Sequence, residues 1–396
     1  MTTTEPATSW PEGATARAVV DLGAIRHNVR TLAEKAPTAQ VMAVVKSDAY
    51  GHGLLRVADA ALDAGASWLG VAQLNEALEL RAGLDATGLR PPILTWLFAP
   101  GAPLSRALAA DLDLSASAPW AVQEIAAAAR EAGRTARVHL KVDTGMGRGG
   151  ARPEAFGELL DAAARARAEG AVDVVGIWSH LARADEPDHP ATSEQTAVFT
   201  AALDQAARRG IQPQVRHLGQ SAGTLFHPDT HFDLVRPGIS VYGLTPAVAA
   251  GSSAELGLRP AMRLEARLTL VKAAPAGTPV SYGHTARTTT DTTLAVVPLG
   301  YSDGLPRIAS DAGPVSVRGR RLHVTGRICM DQSVVDLGAE GADVREGDVA
   351  VVFGDGSDGG PTADDWAAAS GTISYEIVSR LGGRVPRVYV DPERDQ

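Results

Sequence analysis

The clearest chemical signal in the sequence is a lysine that ends a short apolar segment. Residues 41–45 (VMAVV) lead into Lys46 within the stretch VVKSDAYGHG. Apolar surroundings lower the pKa of a lysine because burial penalises the charged form. The neutral amine is a nucleophile that forms a Schiff base with a carbonyl group. Lys46 is therefore a candidate covalent anchor, although a lysine that only pairs with a carboxylate at a strand end would look the same in the sequence.

Four later loops, each after an apolar segment, carry further reactive or anion-binding residue types. They are KVDTGMGRGG (141–150) with Lys141 and Arg148, SHLARAD (179–185) with His180, HLGQSAG (217–223) with Ser221, and RPGISVYG (236–243) with Arg236. Glycines and small hydroxyl residues present backbone N–H groups, which bind phosphate. A lysine that faces such loops suggests a phosphorylated carbonyl cofactor, and pyridoxal phosphate meets both requirements.

These residues need a scaffold that brings several segment ends together. The first two-thirds of the chain alternate apolar segments with helical stretches such as residues 55–65, 121–133 and 156–170. Strands that alternate with helices predict a parallel sheet, and eight of them predict a (β/α)8 (TIM) barrel. The alternative is an open doubly wound sheet, whose dinucleotide-binding form is disfavoured because no G-x-G-x-x-G follows an early strand. The candidate strands are 41–45, 68–72, 93–97, 112–115, 137–142, 173–178, 215–218 and 233–235.

The pattern changes after about residue 250. Strand-like segments dominate from residue 262, and in RLEARLTL the apolar residues alternate with polar ones, which predicts a half-buried antiparallel strand. We expect a barrel over residues 1–245 and a mostly antiparallel C-terminal β domain over residues 246–396. A helix around Leu22, Ile25, Val29 and Leu32 precedes the barrel strands, and the first residues of the chain could pair with the second domain.

The composition narrows the class of protein. The chain has 396 residues, is 45% hydrophobic and carries a net charge of −9, which disfavours nucleic acid or an anionic membrane as a partner. Its one cysteine, Cys329, fits a reducing compartment. The start MTTTEPATSWPEG lacks the features of a signal peptide, and no apolar stretch is long enough to span a bilayer. We expect a cytoplasmic protein.

Seven motifs in order resemble one known family. They are AVVKSDAYGHG, LKVDTGMGRGG, RPGISVYG, VSYGHT, LGYSDG, GRICMDQ and TISYE. Together they resemble bacterial alanine racemases, which are fold-type III pyridoxal phosphate enzymes. The resemblance covers nearly the whole chain and implies a homodimer with active sites shared between the subunits. It also implies interconversion of L- and D-alanine, which supplies D-alanine for peptidoglycan.

The resemblance also implies roles for individual residues. Lys46 would hold pyridoxal phosphate as an aldimine and act as one of two bases, with Tyr301 of the partner subunit as the opposite base. His180 would link Tyr301 and Arg236, and Arg236 would face the pyridine nitrogen. Arg148 would approach the phenolic oxygen and the substrate, Met330 would bind the substrate carboxylate through its N–H, and Lys141 matches a lysine that is often carbamylated. The phosphate would be bound by Tyr50, Ser221, Gly238, Ile239 and Tyr375.

This set of residues suits racemisation. A planar intermediate accepts a proton from either side, so two proton carriers are needed on opposite faces. An arginine at the pyridine nitrogen does not take up the ring's proton, which disfavours transamination and decarboxylation. Three positions depart from the family's commonest pattern: Gln220 in place of asparagine, Arg183 in the His180 loop, and Trp96 in place of a smaller residue.

Several alternatives remain open at this point. A racemase for serine or for a broader set of amino acids would share these motifs. A decarboxylase with a barrel and a β domain should have a glycine-rich phosphate loop and an acid near the ring nitrogen, where this chain has RPGISVYG. A pyridoxal phosphate carrier should lack the second domain and with it Tyr301. Without the resemblance, Tyr301, Cys329 and His217 would be interpreted as structural, and we expect His139 in the barrel interior. No spacing of metal ligands is present.

Overall fold

The computed structural model describes residues 10–392 and residue 394. Residues 1–9, most of the segment judged to lack a signal peptide, lie outside the described residues. The contacts divide the chain into two compact units. The barrel unit comprises Arg26–Ala49 and Leu54–Leu258, and the C-terminal unit comprises Met1–Ile25, Tyr50–Gly53 and Arg259–Gln396.

The described part of the chain starts with one strand and one helix, and strands then alternate with helices through residue 235. The first two elements are β1 (Ala16–Asp21) and α1 (Leu22–Lys35). The strands that follow are β2 (Gln40–Val44), β3 (Trp68–Gln73), β4 (Ile93–Leu97), β5 (Asp113–Ala116), β6 (Ala136–Lys141), β7 (Val172–Trp178), β8 (Val215–His217) and β9 (Leu234–Val235). The helices among them are α2 (Lys46–Gly51), α3 (Leu54–Asp63), α4 (Leu74–Asp85), α5 (Leu104–Ala109), α6 (Pro119–Glu131), α7 (Phe156–Ala168), α8 (Ala191–Ala207) and α9 (Ser221–Phe226).

The eight strands β2–β9 form one parallel sheet in which neighbours in sequence are neighbours in space, with β9 placed beside β2. A parallel bridge between Gln220 and Arg236 joins the two ends of the sheet. Six buried apolar side chains on these strands form one core cluster, namely Met42, Trp68, Leu94, Val175, Val215 and Leu234. Each predicted strand is present within two residues, so the predicted barrel is confirmed and the open sheet is excluded.

The C-terminal unit is built mainly from antiparallel strands. They are β10 (Met262–Arg267), β11 (Leu270–Ala274), β12 (Pro279–Val280), β13 (Ala286–Arg287), β14 (Thr292–Val297), β15 (Pro314–Val317), β16 (Arg320–His323), β17 (Ser333–Asp336), β18 (Val349–Phe353) and β19 (Arg387–Val390). The helices are α10 (Ala363–Ser370) and α11 (Ser374–Ser379). A six-stranded sheet has the order β16-β15-β18-β10-β1-β19, so the first strand of the chain belongs to this unit. The predicted C-terminal β domain is confirmed.

The prediction of one alternating strand through RLEARLTL is wrong in two respects. The strand ends at Arg267 and a separate strand begins at Leu270, whose side chain is exposed. Glu265, expected on the polar face, is buried because Arg17 lies opposite it on β1 and forms an ion pair with it at 2.6 Å. A buried carboxylate is tolerated where a cation neutralises it. Within residues 10–392 and 394, no helix is long and apolar enough to cross a membrane.

Candidate active site

Lys46 lies just beyond β2, at the carboxyl end of the barrel strand, as predicted. Its side chain is half-buried, and burial followed by the positive charge of Arg148 lowers the pKa of its amine. The carboxylate of Glu76 acts in the opposite direction. The net effect favours the neutral amine, which is the nucleophilic form.

The backbone after Lys46 turns with the left-handed sense that L-residues avoid. Four consecutive non-glycine residues, 47–50, have φ between 52° and 57°, and Gly51 follows at 79°. Left-handed conformation costs about 1–2 kcal/mol per non-glycine residue, so the neighbouring structure must hold this turn in place. Asp48 contributes directly, because its carboxylate accepts the N–H of Leu54 at 2.8 Å and its own N–H donates to Glu76 at 3.0 Å.

Arg236 is buried at the end of β9 and connects three strands of the barrel. Its Nη2 donates to the carbonyl of Ser179 at 2.7 Å and to that of Leu218 at 3.0 Å. The ring nitrogens Nδ1 of His217 and Nδ1 of His180 each lie 3.4 Å from the guanidinium. Burial lowers the pKa of Arg236 to about 9, so it is still a cation at neutral pH.

A chain of hydrogen bonds runs from Arg236 through the barrel interior to Asp113. Nε2 of His217 is 2.9 Å from Nδ1 of His139, and Nε2 of His139 is 3.1 Å from Asp113. A guanidinium has only donors and a carboxylate only acceptors, so both histidines carry their proton on Nε2. Burial and then Arg236 hold the pKa of His217 well below its usual range. The prediction that His139 lies in the barrel interior is confirmed, since it is fully buried.

His180 follows β7 and is neutral for the same reasons. Desolvation, and then the positive charges of Arg236 and Arg148, hold its pKa well below the usual value for histidine. Because Nδ1 of His180 faces the donor Arg236, its proton belongs on Nε2. The imidazole can therefore donate a hydrogen bond from Nε2 while Arg236 supports its other side.

Lys141 and Trp178 lie side by side at the ends of β6 and β7. Nζ of Lys141 is 4.3 Å from the centre of the Trp178 ring, and the Arg236 guanidinium carbon is 5.0 Å from the same ring. Burial, followed by repulsion from Arg236 and Arg148, lowers the pKa of Lys141 to about 8. Trp96, another position that departs from the family's commonest pattern, has its ring centre 6.0 Å from that of Trp178.

One buried glutamine joins the loop that carries Arg148 to the loop that carries His180. The Gln195 amide donates from Nε2 to Thr144 Oγ1 at 3.0 Å and to the His180 carbonyl at 3.1 Å. Its Oε1 accepts the N–H of Ala182 at 2.8 Å. Gln195 thus fixes two loops that hold predicted site residues. It was missed in the sequence, where nothing separates it from the other polar residues of α8.

Ser221 is almost completely buried at the start of α9. Its Oγ accepts the backbone N–H of Gly238 at 2.9 Å and that of Ser240 at 3.3 Å, so its own hydrogen is left to be donated. Ile239, which follows Gly238 in sequence, is buried. Gln220, which departs from the family's commonest pattern, accepts the backbone N–H of Gly223 with its side-chain oxygen at 2.9 Å. The other departure, Arg183, forms a two-pronged ion pair with Glu186.

The C-terminal unit contains the remaining predicted residues as two pairs. The rings of Tyr50 and Tyr375 are 6.2 Å apart, and burial together with Tyr375 raises the pKa of Tyr50. Tyr301 and Met330 lie on two segments that run against each other, residues 300–303 and 329–331, which we call the Tyr301 shelf. Tyr301 N–H donates to the Cys329 carbonyl at 3.0 Å, and both Tyr301 and Met330 have exposed side chains.

Several of the predicted residues of the barrel unit are close to one another. Arg148 lowers the pKa values of Lys46, Lys141 and His180, and Arg236 also lowers those of Lys141 and His180. Among the residues that the structure describes, no group of three or more His, Cys, Asp or Glu side chains could hold a metal ion.

Comparison with known proteins agrees with the fold. The model of the alanine racemase N-terminal domain matches residues 20–246, and the model of the C-terminal domain matches residues 261–389. The chain is 63% identical over 376 residues to an alanine racemase from Beutenbergia cavernae, covering 95% of this chain and 98% of the relative. The relative from Frankia casuarinae is 56% identical over 94% of this chain and 96% of its own length.

Solved structures give the same result. The alanine racemase from Streptomyces coelicolor A3(2) superposes with a TM-score of 0.93 at 54% identity, covering 95% of this chain and 98% of that chain. The enzyme from the D-cycloserine producer Streptomyces lavendulae superposes with a TM-score of 0.93 at 52% identity, covering 98% and 99%. The chain therefore belongs to the alanine racemase family.

Proposed function

We propose that this chain is an alanine racemase, an isomerase that interconverts L- and D-alanine with pyridoxal phosphate as its cofactor. The observation that carries the proposal is Lys46, an amine of lowered pKa at the carboxyl end of the first barrel strand. The names of the relatives support the same activity.

The donors in the barrel unit suit pyridoxal phosphate. Lys46 offers the aldehyde an amine of lowered pKa, and Ser221 offers a hydroxyl hydrogen for the phosphate. When bound, the cofactor supplies a conjugated ring that takes up the electron pair left at the substrate's α-carbon. We further assign the phosphate to Tyr50, Ser221, Gly238, Ile239 and Tyr375, the phenolic oxygen to Arg148, and the ring nitrogen to Arg236.

The neutral state of His180 suits the role that we propose for Tyr301 as a base. Tyrosine has a pKa near ~10, so its phenolate must be stabilised at neutral pH. A His180 imidazole that carries its proton on Nε2 can donate to a phenolate oxygen, while Arg236 supplies positive charge behind it. The Tyr301 Oη and the Lys46 Nζ would then move protons on opposite faces of the substrate.

We propose that the enzyme works as a homodimer in which Tyr301 and Met330 of one subunit serve the barrel of the other. The exposure of both side chains in the single chain supports this, because a catalytic base and a carboxylate-binding group need protection from water. Carbamylation of Lys141 stays part of the proposal, and its lowered pKa supports reactivity of that amine. D-Alanine for peptidoglycan, made in the cytoplasm, is the proposed physiological product.

The test is the optical rotation of L-alanine incubated with the purified protein and pyridoxal phosphate. Rotation should decay to zero at constant amino-acid concentration, and Lys46→Ala should prevent the decay. Unchanged rotation from cofactor-loaded, dimeric protein would refute alanine as the substrate, and the same assay with L-serine would then test the broader-specificity alternative.

A further inference from the structure

The Tyr301 shelf brings together two groups whose separation must be fixed. In the proposed function, Tyr301 moves the α-proton and Met330 binds the carboxylate of the same small substrate. The α-carbon and the carboxylate carbon are only about 1.5 Å apart. A shift of about 1 Å in one group relative to the other would therefore misalign the proton transfer, at a cost of up to about 100-fold in rate.

Backbone contacts hold part of this arrangement. Ser302 N–H and its hydroxyl both donate to the Met330 carbonyl, at 3.0 Å and 2.6 Å. Gly300 passes so close to residues 329 and 330 that a side chain there would lie 2.3 Å from the carbonyl oxygens of Cys329 and Met330. The tip of the shelf carries Asp303 on one segment and Asp331 on the other. Because two aspartates repel each other, a further contact must hold the segments together there.

Arg384 binds both segments at this tip. Its Nη1 donates to Asp331 at 2.8 Å, and its Nη2 donates to Asp303 at 2.9 Å and to the Ser302 hydroxyl at 2.7 Å. Asp303 is also fixed on its other oxygen, which accepts the Gly300 N–H at 2.9 Å. A single exposed ion pair contributes little to stability, but a planar fork that joins three groups defines their geometry.

We propose that Arg384 is a positioning residue that holds the Tyr301 segment against the Met330 segment and so sets the proton transfer at Tyr301. This inference rests on the proposed function. Arg384 does not act as a base and does not bind the substrate. It acts through Ser302 and Asp331, which directly follow Tyr301 and Met330 in sequence, and through Asp303, which follows Ser302.

Kinetic isotope effects can separate this role from a general loss of folded enzyme. The value of kcat/KM measures the transition state relative to free enzyme and substrate. L- and D-alanine have equal free energies in water, so any variant must lose kcat/KM equally in both directions. The deuterium effect differs between the directions, because Tyr301 removes the α-proton of one enantiomer, whereas Lys46 removes that of the other and Tyr301 then donates the proton that completes the product.

The experiment compares Arg384→Met with wild type, using α-deuterated L- and D-alanine. We expect kcat/KM to fall about 10- to 100-fold in both directions. The isotope effect on kcat/KM should rise for the enantiomer that Tyr301 deprotonates and fall for the other, because the Tyr301 step becomes limiting in both directions. Hydrogen exchange, followed by mass spectrometry, should be about 10-fold faster at the amides of Tyr301 and Ser302.

Arg318→Met is the matched control. Arg318 is also exposed and also binds two aspartates, Asp343 and Asp348, and neither of them belongs to the Tyr301 shelf. It should leave isotope effects and shelf exchange unchanged. Arg384→Lys keeps the charge but lacks the planar fork, so it should change the isotope effects and the exchange by an intermediate amount. It replaces Arg384→Met if that variant folds poorly.

Unchanged isotope effects or unchanged exchange in the Arg384 variants would each overturn the proposal. If only exchange increased, Arg384 would hold the shelf without setting the proton transfer. If wild-type enzyme failed to racemise alanine, the proposed function would fall and the proton-transfer role with it. The exchange measurement would still decide whether Arg384 joins the two segments.

Discussion

The carboxyl end of the barrel and the Tyr301 shelf hold their reactive residues in different ways. Arg236 is buried and bound to the carbonyls of Ser179 and Leu218, with histidines around it. Tyr301 has 38% of its surface exposed and is held by backbone contacts and by charges at the shelf tip. The electrostatic state of the barrel end is therefore set inside one unit, whereas Tyr301 would take its surroundings from the partner subunit in the proposed dimer.

This difference indicates which parts of the molecule control the protonation of each reactive residue. Burial and the positive charges of neighbouring side chains lower the pKa values of Lys46, Lys141 and His180 in the isolated chain. The proposed phenolate of Tyr301 needs a donor and a cation from elsewhere, which the shared-site dimer would provide. A division of this kind would keep the second base inactive until two subunits associate.

The largest effects should come from removing one base from each region. Tyr301→Phe and Lys46→Ala should each lower kcat by at least about 100-fold, since each removes a proton carrier. Mixed in equal amounts with subunit exchange, they should recover roughly a quarter of wild-type activity, because about half of the dimers would be hybrids with one intact site. The assay is D-alanine formation, with exchange followed by mass spectrometry. Absence of recovery despite proven exchange would rule out shared sites.

A smaller change should separate the packing of the shelf from its chemistry. Gly300→Ala forces a Cβ to within 2.3 Å of two carbonyl oxygens, so it should cost about 2–4 kcal/mol in the free energy of unfolding and displace Tyr301. Gly383→Ala is the control, because no atom lies within 4 Å of its added Cβ. Urea denaturation measures both variants. Equal stability of the two would show that the close approach at Gly300 is not a constraint.

Much of the fold could be predicted because its signals are local. The barrel strands and the position of Lys46 follow from apolar segments and the loops after them. The left-handed turn at residues 47–50 could not be predicted, because none of these four residues is a glycine, the residue that adopts positive φ most readily. Glu265 was assigned to the wrong environment because its partner, Arg17, lies 248 residues away in sequence.

The candidate site was predictable to a similar extent. The sequence motifs identified its ionisable residues. The hydrogen bonds from His217 through His139 to Asp113, however, depend on which strands are neighbours around the barrel. The role of Gln195 likewise requires α8, the Arg148 loop and the His180 loop to meet in space. Contacts between distant segments leave no periodic trace in a single sequence.

Gln195 offers an intermediate test of how the barrel end is held. Gln195→Glu keeps the acceptor for Ala182 but loses both donors and faces the His180 carbonyl with an oxygen. We expect a loss of about 1–3 kcal/mol in the free energy of unfolding and a fall of about 10-fold in kcat. Gln205→Glu on the same helix is the control. Wild-type kcat in the Gln195 variant would show that the loops hold His180 without this amide.

The smallest effect expected is a pH dependence that belongs to the barrel end alone. His217 is fully buried, and this burial, together with the charge of Arg236, holds its pKa well below its usual value. A histidine in the unfolded chain binds a proton below pH ~6.5, whereas His217 in the folded protein does not. The unfolded state then carries more protons, and the free energy of unfolding must fall as pH decreases. Each such histidine contributes a slope of about 1.4 kcal/mol per pH unit below that value.

Urea denaturation between pH 7.5 and 5.5 measures this slope. His217→Asn should reduce it by about one proton. His284→Asn, on an exposed loop of the C-terminal unit, is the control for removal of a histidine outside the barrel end. His180→Asn should also reduce the slope, because desolvation and Arg236 lower its pKa too. If His217→Asn left the slope at its wild-type value, the imidazole would be protonated in the folded state. The donor chain from Arg236 to Asp113 would then have to be reversed or broken at that residue.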